Sequence, residues 1–338
     1  MIGDTNPALG PEEKDMAYSS LAGKVILITG GTSGLGAASA MALAQQTPSP
    51  ARIYISGRRA SAAARVAEQI RTATSASTEV VFLPCDLTDL SSVALAAKTL
   101  LANEERLDVV MANAGIAAVP AAQSKDGYEV QFATNHLGHA LLVRKLLPLL
   151  ERTGVETGTP SRVVWVTSFA FRGAMRGVPL VRAIHAKSGP AEPPAGYLSS
   201  WWCPAVVGRW MRYAESKLAN VVYARELATR FPGVTSVSVC PGFVETDMVA
   251  RMGFCDRVGT RLLAILVPGG EGMVTPEKGA RNQVWAATVA PHRLTTGALY
   301  ETAGVATGLR GYATDERLGT ELWQWTEREL DVWLRPKS

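Results

Sequence analysis

Cysteine is scarce in this chain, with four in 338 residues: Cys85, Cys203, Cys240 and Cys255. No C-x-x-C pair occurs and no Cys/His spacing suits zinc, so neither a disulfide framework nor a structural metal is expected. Cys85 and Cys240 end apolar, strand-like runs and read as small buried hydrophobes of a reducing compartment. Long apolar stretches are also missing. Nothing approaches the roughly 18 residues that span a bilayer, and the run at 262–267 is too short. The first 20 residues are polar, carry Gly3, Pro7, Gly10 and Pro11, and lack the basic start and apolar centre of a signal peptide. They read as a polar extension of a cytoplasmic protein. Charge of one sign is nowhere concentrated. The net +4 comes from scattered Lys and Arg, which argues against nucleic acid or an anionic membrane as partner. It would suit a phosphate-bearing ligand.

What is present is apolar content of 47% against 19% charged, enough for a substantial core. From residue 24 strand-like and helix-like segments alternate. Short apolar runs at 24–29, 52–56, 79–84, 107–112, 162–167, 235–240 and 298–301 read as strands, apolar throughout because both faces are covered. Helical patterns fall at 37–46, 60–72, 91–102, 128–150, 215–231, 276–290 and 316–333. Right-handed crossovers then give an α/β fold, a Rossmann-type doubly wound parallel sheet. No repeat and no linker divide residues 21–338, which read as one domain. The segment 171–212 breaks the rhythm with many Gly and Pro and with Trp201, Trp202 and Trp210. It reads as a long insertion looping out ahead of the helix at 215.

Thr29-Gly30-Gly31-Thr32-Ser33-Gly34-Leu35-Gly36 lies between the first strand and the first helix. Glycine permits the tight turn and close approach of a pyrophosphate, which free N–H groups and the positive helix end then hold. A glycine cluster alone could be a mere tight turn, but the strand before it and the helix after it favour dinucleotide binding. No Lys follows the last glycine, which excludes a Walker A loop. At the end of the second strand an acid would bind the ribose hydroxyls of NAD, whereas Arg accepts the extra phosphate of NADP. Here the run is Ser56-Gly57-Arg58-Arg59, so the expected cofactor is NADP(H), with Arg58 as the phosphate ligand. The alternative is a solvated helix start, which the helix dipole disfavours for cations.

Tyr213 and Lys217 are four apart and share one helix face. A free phenol, with a pKa of about 10, is a poor base at neutral pH. A neighbouring ammonium would lower that value and let the pair trade protons. Such a pair alone is equally a packing feature, and Ser168 alone is equally a turn residue. Ser168, however, closes a strand at the sheet edge where doubly wound folds bind ligands, and its hydroxyl could hold a substrate oxygen.

With these residues in place the chain resembles the short-chain dehydrogenase/reductase family, most closely its retinol-dehydrogenase-like and fungal light-induced-alcohol-dehydrogenase-like branch, over residues 22–333. The T-G-x-x-x-G-x-G turn matches, with Gly30, Thr32, Ser33, Gly34, Leu35 and Gly36 implied as cofactor contacts. Cys85-Asp86-Leu87 falls where the family's Asp meets adenine. Asn113-Ala114-Gly115 ends the fourth strand beside the cofactor, although the usual double Asn is Ala112-Asn113 here. Asn135-His136-Leu137-Gly138-His139 matches a helix motif whose Asn supports a water in a proton relay. Ser168, Tyr213 and Lys217 match the catalytic Ser, Tyr and Lys, and Pro241, Gly242, Val244 and Thr246 match the nicotinamide cradle. The spacing from Ser168 to Tyr213 exceeds that of most relatives. Ser199 and Ser200 lie nearer the Tyr, but no strand precedes them. His136 and His139, three apart, could form half a metal site, but no acidic or Cys partner stands near in sequence. Packing or hydrogen bonding is expected instead.

The resemblance implies an NADP(H)-dependent ketoreductase or alcohol dehydrogenase. The insertion and the 243–275 region, with Met248, Met252, Phe254, Leu262, Leu263, Ile265 and Leu266, would shape its substrate pocket. Their apolar character suits a bulky lipid-like or secondary-metabolite alcohol or ketone. The same residues could instead cover core or meet a second copy in a homodimer. Arg172, Arg176, Arg182 and Lys187 would allow transient membrane docking, which the prolines discourage. A non-catalytic dinucleotide sensor, or an isomerase or cyclase using the same site, remain different readings.

Overall fold

The centre of the sheet is built from strands that have no solvent face, whereas β3 (Glu79–Pro84) and β8 (Val305–Thr307) at its edges are partly exposed. β1 (Val25–Thr29) and β5 (Ser161–Val166) are buried at every position. A computed structural model describes residues 19–74, 77–174, 204–250, 252–266 and 272–335. Between those two strands the chain forms β2 (Arg52–Gly57), β3 (Glu79–Pro84) and β4 (Val109–Ala112). β6 (Val234–Val239), β7 (Leu299–Thr302) and β8 (Val305–Thr307) follow. The order is β3-β2-β1-β4-β5-β6-β7-β8, parallel up to β7, with β8 antiparallel at the edge. Strand order reverses between β1 and β4, which opens the ligand crevice at their carboxyl ends. The Rossmann-type doubly wound sheet is thus the observed architecture. The antiparallel β8, three residues long, was not legible in the sequence.

The helices are α1 (Gly34–Ala44), α2 (Ala60–Ala73), α3 (Leu90–Asn103), α4 (Gly138–Thr157), α5 (Pro204–Arg230), α6 (Phe254–Leu266), α7 (Pro276–Thr288) and α8 (Glu316–Leu334). One buried cluster joins β-strand side chains to α1, α2 and α7. A second joins the opposite face to α3, α4, α5 and α8. In the second, Trp165 of β5 meets Tyr223 edge-on at 5.4 Å and donates its indole N–H to Ser236 Oγ at 3.2 Å. Arg162, buried in β5, donates to the carbonyls of Ala286 and Val289 at the end of α7, where a cation offsets the negative helix terminus. None of the described helices is long and apolar enough to cross a membrane.

Three sequence expectations change. The helix expected over 128–150 is a single turn at Val130–Phe132, a π turn at Ala133–Leu137, and then α4. The expected loop 171–212 is helical at both ends. Phe169–Gly173 forms a 3₁₀ turn, and α5 begins at Pro204, placing Trp210 on the same helix as Tyr213. Trp201, Trp202, Cys203, Ser199, Ser200, Arg176, Arg182 and Lys187 lie outside the described residues. The 243–275 region contains α6, whose Leu262, Leu263, Ile265 and Leu266 are mostly solvent-exposed, although Leu263 also reaches the cavity described below.

Candidate active site

β1 ends at Thr29, and the chain turns through Gly30 and Gly34, both in the left-handed region at φ 65° and 49°. The turn is tight enough that a Cβ on Gly36 would stand 2.4 Å from Gly30 O and 2.7 Å from Asn113 Nδ2. α1 then starts with Ser33 as an N-cap whose side chain makes no capping bond, and no acid occupies its first turn. Its leading N–H groups are therefore left for an anion at the positive end of the helix dipole.

This turn floors a cavity of about 1240 Å³ that runs along the carboxyl edge of the sheet. Gly30, Thr32, Ser33, Gly34, Leu35 and Gly36 line it. So do Arg58, Asp86, Leu87, Asn113, Ala114, Gly115, Ser168, Tyr213, Lys217, Pro241, Gly242, Val244 and Thr246. Asn135 is fully buried beneath that wall. At one end Arg58 and Arg59 are exposed beside Gly57, where a Cβ would meet Thr32 Oγ1 at 2.8 Å. Asp86 Oδ1 accepts from the backbone N–H and hydroxyl of Thr88. At the other end Gly242 sits at φ 80°, and Thr246 Oγ1 is buried without a hydrogen-bond partner among the described residues. An orphaned hydroxyl and a row of free helix-end amides fit a dinucleotide with a phosphate at the turn and a hydrogen-bonding headgroup near Thr246.

Tyr213 and Lys217 come from one face of α5 and are almost fully buried. The Ser168 hydroxyl, just past β5, lines the same cavity wall as the Tyr213 phenol and favours its ionised form. The chain thus returns to Ser168 despite the long intervening segment. Lys217 Nζ lies 5.9 Å from the centre of the Tyr213 ring and donates to Val166 O at 2.9 Å. Trp210, one turn earlier on α5, meets the same ring edge-on at 5.9 Å.

The electrostatics differ from the expected ammonium effect. Burial pushes the Tyr213 phenol up to about 12, and what pulls it back is the Ser168 hydroxyl. Burial also drives the Lys217 ammonium down to about 8. The lysine is held against the Val166 carbonyl and itself loses solvation, so burial is the larger influence on the phenol.

Asn135 is likewise more committed than the motif suggested. Its Oδ1 accepts the Ile116 N–H, and its Nδ2 donates to Ile116 O and to Ser216 Oγ. His136 and His139 are fully buried, and burial lowers their imidazoles to about 3 and about 4. His136 pairs with Asn220 and Thr326, and His139 with Thr29 and Asn135.

Several residues entered the site without a sequence signal. Gln283 of α7 donates to Asn113 Oδ1 and Ser39 Oγ, bracing the turn from 170 positions away. Asp256 of α6 accepts from Trp210 Nε1 at 2.8 Å and pairs with Arg209 at 2.7 Å. Glu301 pairs with Arg172, whose guanidinium lies over Phe171. The two arginines at the apolar end of the cavity are thus both neutralised.

The model of the short chain dehydrogenase family matches residues 24–180. An uncharacterized oxidoreductase of Schizosaccharomyces pombe is 33% identical over 91% of this chain and 85% of its own length. A short-chain dehydrogenase/reductase of Aspergillus calidoustus is 32% identical over 93% and 96%. Human retinol dehydrogenase 11 is 31% identical over 90% and 84%. Among solved structures, an uncharacterized protein from Mycobacterium paratuberculosis superimposes with a TM-score of 0.63 at 26% identity, covering 93% of this chain and 95% of that one. The chain belongs to the short-chain dehydrogenase family of oxidoreductases.

Proposed function

We propose that this chain is an NADP(H)-dependent reductase or dehydrogenase that interconverts an apolar, neutral alcohol and its ketone or aldehyde. The observation that carries this reading is the convergence of Ser168, Tyr213 and Lys217 on the wall of the cavity floored by the glycine turn. A bound reduced nicotinamide supplies hydride to the carbonyl carbon. Tyr213 gives its phenolic proton to the carbonyl oxygen, and Ser168 holds that oxygen through its hydroxyl. Lys217 binds the cofactor ribose and, while protonated, stabilises the phenolate left when Tyr213 gives up its proton. Asn135 fixes the main chain of Ile116 and, through Ser216, the turn of α5 that bears Tyr213, which supports a positioning role behind the proton relay.

Three features support the substrate class. Phe169, Phe243, Met248, Met252 and Leu263 face the cavity at its far end. Its cations there are paired, as Arg172 with Glu301 and Arg209 with Asp256, so a charged substrate would meet no counter-charge. The human relative is named for retinol, an apolar alcohol. A lipid-like or secondary-metabolite carbonyl would suit the same lining. The test is a panel of such carbonyls with NADPH and NADH, read as loss of reduced-cofactor absorbance. Turnover of small polar sugars with none of the apolar carbonyls would reject the substrate class, and consumption of neither cofactor would reject the oxidoreductase.

Arg58 supports NADP over NAD because no acid stands at the end of β2 and the guanidinium can take a phosphate bidentately. Arg58→Ala should raise the KM for NADPH on the order of tenfold, the worth of about one charge-assisted hydrogen bond, and leave that for NADH nearly unchanged. Equal effects on both cofactors would remove Arg58 from phosphate recognition.

The pH dependence follows from burial. With Lys217 at about 8 and Tyr213 at about 12, the charge lost first on raising pH is the ammonium. The kcat/KM for carbonyl reduction should stay level from about pH 6 to about pH 7.5 and fall above about pH 8, since that profile reports groups of the free enzyme. A rate that stays level to about pH 10 would show that the Lys217 charge is not needed.

A further inference from the structure

We infer that His139 is a positioning residue that locks the dinucleotide-binding turn to the π turn carrying Asn135, through a buried Thr29–His139–Asn135 hydrogen-bonded chain. The inference rests on the dinucleotide reading of the turn and concerns a residue for which sequence suggested only packing or hydrogen bonding.

The chain can be followed atom by atom. His139 Nδ1 lies 2.9 Å from the main-chain carbonyl of Asn135. A carbonyl only accepts, so Nδ1 carries the proton. In a neutral ring Nε2 then has a free lone pair, and the Thr29 hydroxyl sits 2.7 Å from it and donates. The lone pairs of that hydroxyl accept the N–H groups of Asn113 and Ala114 at 2.9 and 3.0 Å. Thr29 is the last residue of β1, immediately before Gly30, and Asn113 and Ala114 line the cavity at the end of β4.

The other end reaches α5. Asn135 Nδ2 donates to Ser216 Oγ at 2.9 Å, and Ser216 Oγ donates to Tyr213 O at 2.7 Å. A continuous set of buried bonds therefore runs from the head of the glycine turn to the backbone of Tyr213. The π turn gives this chain its middle link. A π turn inside a helix disturbs the regular ladder, and such turns recur at functional sites. Here the imidazole, reaching back one turn, grips a carbonyl within the π turn and fixes it against β1. Every atom of the ring that can hydrogen-bond is used, and the ring is fully buried. An apolar side chain of similar size would fill the space but cut the link between β1 and the π turn, leaving the Thr29 hydroxyl only its longer contact to Met111 O at 3.3 Å.

The test uses the full-length protein, which has four histidines, labelled with nitrogen-15. The histidine signal that vanishes in His139→Asn should show a protonated Nδ1 and an unprotonated Nε2, unchanged from about pH 6 to about pH 8. In Thr29→Val the same Nε2 resonance should shift. Calorimetry with NADP+ supplies the second arm. His139→Asn keeps a donor near Asn135 O and loses Thr29. Thr29→Val loses the hydroxyl. Each should weaken NADP+ binding about tenfold, as expected for one severed buried hydrogen bond.

The double variant should also lose about tenfold rather than about a hundredfold, because both changes cut one chain. Thr29→Ser, which keeps the hydroxyl, should bind within about twofold of the parent, a rescue that simple packing would not give. Multiplicative losses, unchanged affinity in both single variants, or the opposite tautomer would overturn the inference. Should His139→Asn fail to fold, the Thr29→Val shift and the Thr29→Ser rescue still decide it. Neither arm needs a substrate. Failure of every carbonyl in turnover would therefore count against the proposed reaction alone, whereas a parent protein that binds no dinucleotide would overturn both.

Discussion

Replacing Tyr213 with phenylalanine is expected to lower turnover by at least about a hundredfold, the low end of what a positioned acid or base contributes. The ring would remain. Trp210 would still meet its edge, and the cavity would keep its shape, because the two side chains differ only by the hydroxyl. What disappears is the proton donor and the partner of Ser168. Cofactor affinity should therefore change little while kcat falls, the signature of an interaction made in the transition state rather than in binding. The buried site makes the loss steep. With the phenol held up near 12, the native group is almost entirely protonated at neutral pH and ready to donate. Water reaching the same point would lack both its fixed direction and the Ser168 contact. Initial rates with NADPH and a reactive carbonyl, beside calorimetric affinity for NADP+, check this. A variant turning over within about threefold of the parent would remove Tyr213 from the proton-transfer role.

The residues that carry this chemistry were legible where local pattern decides them. β3 was expected at 79–84 and lies at Glu79–Pro84, because the apolar core of that run, Val80–Leu83, between turn residues leaves few alternatives. The glycine turn was legible because left-handed backbone at Gly30 and Gly34 and crowding at Gly36 each demand the missing side chain. Tyr213 and Lys217 share a face because four residues make about one helical turn.

Elsewhere the deciding contact is distant in sequence. The π turn at Ala133–Leu137 leaves the apolar pattern of 128–150 intact, so periodicity reads straight through it. α5 begins at Pro204, early enough to include Gly208 and Trp210. Arg209 and Trp210 are held by Asp256 of α6, 46 positions beyond Trp210. The protonation of Tyr213 was not legible for a related reason. Spacing shows that a lysine is near, but only the fold shows that both groups are buried and that the ammonium is spent on Val166 O. Proximity sets the sign of a Coulomb term, and burial decides here which term is larger.

The same reasoning makes α8 a brace for the helix that bears Tyr213, and Trp323→Ala should expose that. Trp323 stacks on Tyr223 of α5 at 4.9 Å and approaches Phe231 at 6.0 Å. The guanidinium groups of Arg144 and Arg230 lie over it at 5.6 and 5.0 Å. Arg144 of α4 also forms a two-bond pair with Glu327 of α8, so one helix clasps the two that carry the π turn and Tyr213. Truncation of so large a side chain, only 7% exposed, leaves a cavity between rigid helices and should destabilise the protein by about 3–5 kcal/mol. The urea midpoint should fall accordingly with the slope unchanged, since the native fold still buries nearly the same surface. Saturating NADP+ should restore part of the loss by mass action, because the dinucleotide binds only the folded chain. A loss below about 1 kcal/mol would mean that α8 merely rests on the sheet domain. In that case Tyr213 would depend for its placement on Ser168, Ser216 and the strand ends alone.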